Sequence, residues 1–191
     1  MDTNNRIPSL IAGSGGLARE IAFYLTNDVN STSTYDFLGY ITDSSGSVGV
    51  QVGSKTIVMT DADILSNDRT FALFLGTGSP IINSKIFKKL VASGCLMFPN
   101  FISSRSLGDW ERISIGIGNV ITYGCAFTTD IQVGDFSLFN LNTTVGHDAV
   151  IGDFCVFNPS CNISGSTKIG SRVLVGTELK FYRAYRSAMM W

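Results

Sequence analysis

From residue 115 the chain repeats every six residues, and that period constrains the fold more than any other feature. Written as hexads, the segment runs IGIGNV ITYGCA FTTDIQ VGDFSL FNLNTT VGHDAV IGDFCV FNPSCN ISGSTK IGSRVL VGTELK. The first position is Ile115, Ile121, Phe127, Val133, Phe139, Val145, Ile151, Phe157, Ile163, Ile169 and Val175, every one aliphatic or Phe. The second is mostly Gly, Asn, Thr or Ser, residues that tolerate sharp turns. The fifth is mostly small or apolar, as at Cys125, Ala149, Cys155 and Cys161, which suits a narrow interior. A period of six calls for short strands broken by turns at equal spacing. Three such strands close a triangular coil, stacked coils pair their backbone N–H and C=O groups, and the first positions fill the shaft. The expected architecture is a left-handed parallel β-helix, an exception to the usual right-handed crossover.

The same register disposes of the cysteines. Cys125, Cys155 and Cys161 fall on inward fifth positions, so they read as core thiols rather than nucleophiles. With Cys95 they form no CxxC pair, which argues against a zinc knuckle or a disulfide framework, and no metal is expected.

His147, the only histidine, occupies the third position of its hexad, beside Asp148. Tyr123, Thr129, Asp135, Asp153, Ser171 and Thr177 share that position, which marks it as outward-facing. Two readings stand side by side: a solvated surface histidine, or a general base projecting into a groove between neighbouring β-helices, its ring oriented by Asp148.

The first hundred residues are organised differently. SLIA reads as a buried strand, GSGG as a turn, and LAREIAFYLT as a helix with Ala18, Ile21, Ala22 and Leu25 on one face. Gly13, Gly15 and Ala18 satisfy G-x-G-x-x-G/A, so the loop Gly13, Ser14, Gly15 and Gly16 either brings backbone amides to a phosphate or simply packs helix on strand. DFLGYIT ends at Asp43 and Ser44, and TFALFL at Gly76, before the helix PIINSKIFKKLVAS that Gly94 stops. Three strands thus end in polar or glycine-rich turns on one side of a small parallel sheet, where ligands bind in open α/β folds. Asp43 there contacts a ribose or caps a turn. The division is an α/β Rossmann-like domain over 1–98, the β-helix over 99–180, and an atypical segment over 181–191.

Composition narrows the function. A net charge of −1 without a dense Lys/Arg run lacks the footprint of a nucleic-acid binder. No apolar stretch approaches the roughly 18 residues of a membrane span, and the N-terminus lacks the pattern of a secretory signal, so a cytoplasmic location is expected.

In order, IAGSGGLAREI, FLGYITD, FALFLGTG, MFPNFIS, VGHDAVIGDFCVFNPS and ISGSTKIG resemble the landmarks of bacterial sugar acetyltransferases, from about residue 9 to 177. These are the sialic acid O-acetyltransferases and the nucleotide-amino-sugar N-acetyltransferases of surface polysaccharide synthesis. The resemblance implies a homotrimer with acetyl-CoA in the cleft between adjacent β-helices and His147 as catalytic base. It further implies that the N-terminal domain binds the sugar or nucleotide sugar, through Gly13 to Gly16, Asp43, Ser44 and Gly76, with Asn158 and Gly165 as acetyl-CoA contacts. The sequence departs from the family at three points: Val156 stands where a second histidine is common, Phe98-Pro99 replaces His-Pro, and Ile81 replaces an arginine.

Two rivals differ in class. A β-helix zinc hydratase needs three converging histidines, which one histidine per chain does not supply. A truncated, catalytically impaired homologue acting as a binding scaffold remains as the alternative. It is suggested by the tail ELKFYRAYRSAMMW, where the hexads are expected to stop after Thr177. The tail can be back-translated so that a shifted frame reads IKILQGISVGDDV and restores them, which predicts a frameshifted, shortened chain.

Overall fold

The computed structural model describes residues 6–181. Of the segment 181–191 expected to be atypical and frameshifted, all but Phe181 lies outside the described residues.

The N-terminal domain is a three-layer α/β unit. Its sheet has the order β3-β4-β2-β1-β5-β6, formed by β1 (Ile7–Ala12), β2 (Tyr35–Thr42), β3 (Gln51–Val52), β4 (Lys55–Thr60), β5 (Phe71–Leu75) and β6 (Leu96–Met97). All pairings are parallel except β3 with β4. β5 is buried at every residue, as its uninterrupted apolar run FALFL requires of a strand covered on both faces. Helix α1 (Gly16–Asn27) buries Ala18, Ile21, Tyr24 and Leu25 on one face of the sheet and is followed by the short α2 (Val29–Thr34). On the other lie α3 (Asp61–Leu65) and α4 (Pro80–Leu90), which contribute Ile64 and Leu90. The strand and helix pair β4–α3 was not anticipated from sequence. Thr60 and Asp63 start α3 with a capping box, each satisfying the other's backbone N–H.

The second unit is a left-handed parallel β-helix of two-residue strands on three sides. The first side is β7 (Phe101–Ile102), β10 (Val120–Ile121), β13 (Leu138–Phe139), β16 (Val156–Phe157) and β19 (Leu174–Val175). The second is β8 (Leu107–Gly108), β11 (Ala126–Phe127), β14 (Thr144–Val145), β17 (Asn162–Ile163) and β20 (Lys180–Phe181). The third is β9 (Ser114–Ile115), β12 (Gln132–Val133), β15 (Val150–Ile151) and β18 (Lys168–Ile169). First and fifth hexad positions form one continuous core, including all three cysteines, as the periodicity requires. Burial pushes the Cys125, Cys155 and Cys161 thiols up, away from thiolate chemistry.

Three details correct the sequence reading. The tight backbone turn is not at the second position but at the fourth, where Gly118, Gly124, Asp130, Phe136, Asn142, Asp148, Phe154, Ser160, Ser166, Arg172 and Glu178 all have φ between 54° and 75°. The second-position glycines serve stacking instead: a Cβ on Gly146 would lie 2.5 Å from the Gly165 nitrogen of the next coil. The hexads also run one side beyond Thr177, since β20 pairs with β17 and Phe181 packs against the core.

The helix begins before the legible hexads, at β7. Its first coil is one residue longer than the others, because Leu107 pairs with Ala126 whereas Ser114 pairs with Gln132. Gly108 takes an inward position without a side chain, and the Trp110 ring fills the space. A Cβ on Gly108 would meet that ring at 2.8 Å, and the ring centroid lies 5.8 Å from Phe127. Trp110 therefore closes the N-terminal end of the shaft.

Sixth positions point outward, and on the first side they are apolar. Phe101, Val120, Leu138 and Val156 are buried against Tyr24 and neighbours of α1 and the sheet. At the corner joining the first and third sides, Phe136 and Phe154 stack with centroids 5.1 Å apart and pack on Phe87 of α4. This contact offsets the cost of two bulky residues at positive φ. Asp28, 2% exposed, ties the units together further: it accepts hydrogen bonds from Asn30 N, Ser103 Oγ, Ser104 N and Ser104 Oγ.

Candidate active site

His147 stands in the turn that joins β14 on the second side to β15 on the third. Its own hexad explains the placement. Val145 and Ala149 point into the shaft at 1% and 0% exposure, which leaves the intervening third and fourth positions outside. Asp148, at φ 58°, turns its carboxylate back on the ring, and Oδ2 lies 2.7 Å from His147 Nδ1. Asp tolerates this left-handed conformation better than most residues. Nε2 is left free of any hydrogen-bond partner among the described residues, and the His147 side chain is 62% exposed.

The next coil supplies the floor. His147 O accepts from Ser166 N, and the imidazole lies directly over Gly165, where a Cβ would come within 2.7 Å of Nε2. Only a glycine there lets the ring keep this position. On the other flank of the same corner, Thr129 Oγ1 donates to Asp109 Oδ2 at 2.7 Å, and Arg112 binds Asp130 bidentately at 2.7 to 2.9 Å. His147 is thus one member of a polar column carrying Asp109, Arg112, Asp130 and Asp148, and only the last two of these neighbours follow from hexad register.

The structure separates Asn158 from Gly165. Asn158 belongs to the corner between the first and second sides, where its Nδ2 donates to Val175 O at 2.9 Å. Val156, at the position of the family's second histidine, is buried under the N-terminal domain.

A second candidate site lies at the C-terminal ends of β1, β2 and β5. A cavity of about 350 Å³ is lined by Gly13, Thr42, Asp43 and Thr77 from these strand ends, by Asp61, and by Ile82, Lys85, Ile86 and Lys89 of α4. Gly13 has φ 99°, a conformation that glycine supplies without strain, and donates to Ile41 O. Of the residues expected here, Gly13 and Asp43 line the cavity. Gly15 is the N-cap of α1, while Ser14 and Ser44 are exposed nearby, outside the lining. Gly16 faces a different groove, between α1 and Tyr123 and Leu141 of the β-helix. Gly76 is a packing glycine: a Cβ would lie 2.6 Å from Ile11 Cγ2 and 2.8 Å from Ala18 Cβ. The lysines were missed. Ile82, Lys85, Ile86 and Lys89 follow helical i, i+3, i+4, i+7 spacing, and lysine on half of such a stripe is the signal that marks a polar cavity rather than a dry core. Lys89 Nζ is paired with Asp61 Oδ2 at 2.7 Å.

Among the described residues there is no cluster of His, Cys, Asp and Glu suited to a metal ion, and no helix is long and apolar enough to cross a membrane. No protein-family model matches the chain, and no curated protein matches it. Solved structures do. WeeI from Acinetobacter baumannii is 21% identical with a TM-score of 0.78, covering 94% of this chain and 82% of its own. The acetyltransferase domain of PglB from Neisseria gonorrhoeae is 18% identical with a TM-score of 0.75, covering 96% and 95%. A histidine-to-asparagine mutant of perosamine N-acetyltransferase from Caulobacter crescentus, in complex with CoA and GDP-perosamine, is 16% identical with a TM-score of 0.68, covering 91% and 90%. The chain therefore has the fold of these proteins along nearly its whole length: a Rossmann-like α/β domain leading into a left-handed parallel β-helix.

Proposed function

We propose that the chain is an acetyl-CoA-dependent acetyltransferase that acylates a nucleotide-linked amino sugar, with His147 as general base. The observation that carries this reading is the exposed His147–Asp148 pair, with Nδ1 held at 2.7 Å, Nε2 free, and Gly165 beneath the ring. Holding the coil together requires none of these features, which weighs against a pure scaffold. The fold is shared with a PglB domain solved with acetyl coenzyme A and with a perosamine enzyme holding CoA and GDP-perosamine.

The chemistry is direct transfer. The acceptor nitrogen attacks the thioester carbonyl while His147 Nε2 takes its proton. The tetrahedral intermediate collapses with cleavage of the C–S bond, and the thiolate of CoA leaves and recovers that proton. Asp148 holds the ring so that Nε2 faces the acceptor, and its charge stabilises the imidazolium. An acyl-cysteine plays no part, since the β-helix thiols are buried in the shaft. Among sugar acceptors, the carboxylates of Asp109, Asp130 and Asp148 against the single guanidinium of Arg112 favour an amino sugar over an anionic sialic acid.

The acceptor comes from another copy of the chain in this reading. The His147 corner contributes no residue to the two clusters that join the β-helix to the N-terminal domain, which packs on the first side and its third-side corner. A sugar gripped by one copy's N-terminal domain then reaches His147 of a neighbour, as in a homotrimer with acetyl-CoA between adjacent β-helices. Gly165 lies against the reacting ring, and Asn158 reaches such a cleft only from the neighbouring copy. A cytoplasmic location accompanies this reading, where acetyl-CoA and nucleotide sugars are at hand. The test is His147→Ala, expected to lower kcat/KM by about 10² to 10⁴ with the assembly intact; an unchanged rate would remove His147 from the mechanism.

A further inference from the structure

At the opposite edge of the same sheet, by the N-terminal ends of β1, β2 and β4, a smaller cavity of about 180 Å³ opens under the corner between α1 and α2. Arg6, just before β1, and Lys55, the first residue of β4, both line it, and neither has a carboxylate partner among the described residues. Arg6 Nε is buried and meets no hydrogen-bond acceptor, and the bond from Arg6 Nη1 to Thr32 O is long at 3.5 Å. A buried donor on a charged group is costly to leave unpaired, which points to an acceptor supplied from outside the chain. Lys55 shares its strand face with Ile57, which packs with Phe37 under α1, so its stem runs along the face on which the cavity opens. The one carboxylate at the rim, Asp36, falls between Tyr35 and Phe37 of that same cluster, and strand alternation turns it to the other face. Tyr35 adds a donor: burial pushes its phenol up, so the O–H keeps its proton.

We infer that this cavity is a phosphate site, in which Arg6 and Lys55 together hold a phosphate dianion, either free or at the end of a small phosphomonoester. Size excludes larger ligands: about 180 Å³ falls below the roughly 300 Å³ at which sites for whole small molecules begin. Charge selects among small anions. A carboxylate cancels one of the two cations, whereas a phosphate dianion cancels both and offers oxygens to the guanidinium fork and the ammonium at once. The hydroxyls of Thr26 and Thr32, which line the cavity and now donate to Ala22 O and Val29 O, can rotate to donate to a further oxygen. The place of the cavity gives the ion its effect. Thr26 and Thr32 flank Asp28, whose carboxylate accepts from Ser103 and Ser104 and so joins the N-terminal domain to the β-helix. An anion bridging Arg6 and Lys55 fastens that corner to the sheet. It is a stabilising ligand of the joint and takes no part in acetyl transfer.

The test is calorimetric titration of the wild-type chain, Lys55→Gln, Arg6→Gln and Lys55→Arg with inorganic phosphate and with glycerol 3-phosphate, at constant ionic strength, with Tm measured alongside. Wild type is expected to bind at least one of the two at one site per chain, with a Kd of about 1 mM or tighter and a Tm that rises with ligand concentration. Lys55→Gln and Arg6→Gln should each weaken binding about 10-fold or more and lose the rise in Tm, while Lys55→Arg should keep both. Tighter binding of inorganic phosphate assigns the site to the free ion, and tighter binding of glycerol 3-phosphate assigns it to a phosphomonoester. A wild type that binds neither ligand overturns the inference. So does binding that survives unchanged in a folded Lys55→Gln, which would place the phosphate elsewhere, and so does an equal rise in Tm with sodium chloride, which would reduce the effect to screening. Lys55 is only half-buried at the start of its strand, so Lys55→Gln decides the matter even where Arg6→Gln fails to fold.

Discussion

Replacing Gly165 by alanine isolates the position of the His147 ring from everything else in the site. The new Cβ would sit 2.7 Å from Nε2, 2.8 Å from Cε1 and 3.0 Å from Cδ2. Carbon contacts settle at about 3.5 to 4.0 Å, so the ring must retreat by about 1 Å. It can do so cheaply, because the side chain is 62% exposed and one rotation carries it toward solvent. Gly165 is not among the glycines at positive φ, so alanine fits the backbone without strain. Stability should therefore change by less than about 0.5 kcal/mol, the scale of an uncomplicated surface substitution. Catalysis should not escape, since a misplacement of about 1 Å in a reacting group costs roughly 10²-fold. The assay is CoA thiol release with a nucleotide amino sugar, alongside Tm by circular dichroism. His147→Ala/Gly165→Ala should be no slower than His147→Ala alone, because alanine at 165 acts only through the ring. A wild-type rate in Gly165→Ala, or a rate loss that tracks a falling Tm, refutes the argument.

Asp28→Ala should cost about 3 kcal/mol, because it removes an N-cap and leaves Ser103 Oγ without its carboxylate partner at a 3% exposed residue, measurable by urea unfolding. Although burial alone would raise the Asp28 pKa, the hydrogen bonds from Ser104, Asn30 and Ser103 hold it below the usual carboxylate value. Its stabilisation is thus complete above the unfolded value of about 4 and is lost as pH falls below that, a dependence that Asp28→Asn should flatten. Trp110→Ala should destabilise by about 2 to 3 kcal/mol, less than for a fully buried aromatic, since Trp110 is 37% exposed while its ring caps Phe127; an unchanged Tm would deny it the capping role.

The β-helix was legible because its inward positions carry the period, from Ile115 to Val175, and the stacked coils leave no other use for it. Its start was hidden. The first coil has Gly108 inward and one extra residue before Ser114, so the hexads slip just where Trp110 supplies the missing side chain. The turn position was equally opaque, because residues as different as Phe154, Arg172 and Glu178 occupy the left-handed site. What holds them is backbone: Phe154 N donates to Asp135 O and Arg172 N to Asp153 O of the preceding coil, both at 2.7 Å. Hydrogen bonds made by the main chain leave no signature in side-chain composition.

At the candidate site, Asp148 stood out by sequence adjacency, Gly165 was expected only as an acetyl-CoA contact and not as the floor under the His147 ring, and Asp109 and Arg112 reach the His147 column only through the irregular first coil. In the N-terminal domain, the glycine motif drew attention to the loop at 13–16, yet the cavity's charges come largely from α3 and α4. Asp61 follows the strand KTIVMT, whose pattern has no clear period, and nothing in the sequence reading singled out the lysines of α4.

Acetyl transfer itself is the most direct test. The purified protein is incubated with acetyl-CoA and a panel of UDP- and GDP-linked amino sugars, with free sialic acid as a further acceptor, and the products are read by mass spectrometry. One nucleotide amino sugar should gain a single acetyl group on nitrogen, at a rate that falls by about 10² to 10⁴ in His147→Ala. Product formed equally well by wild type and His147→Ala, or no acetylated product from any acceptor in the panel, contradicts the account.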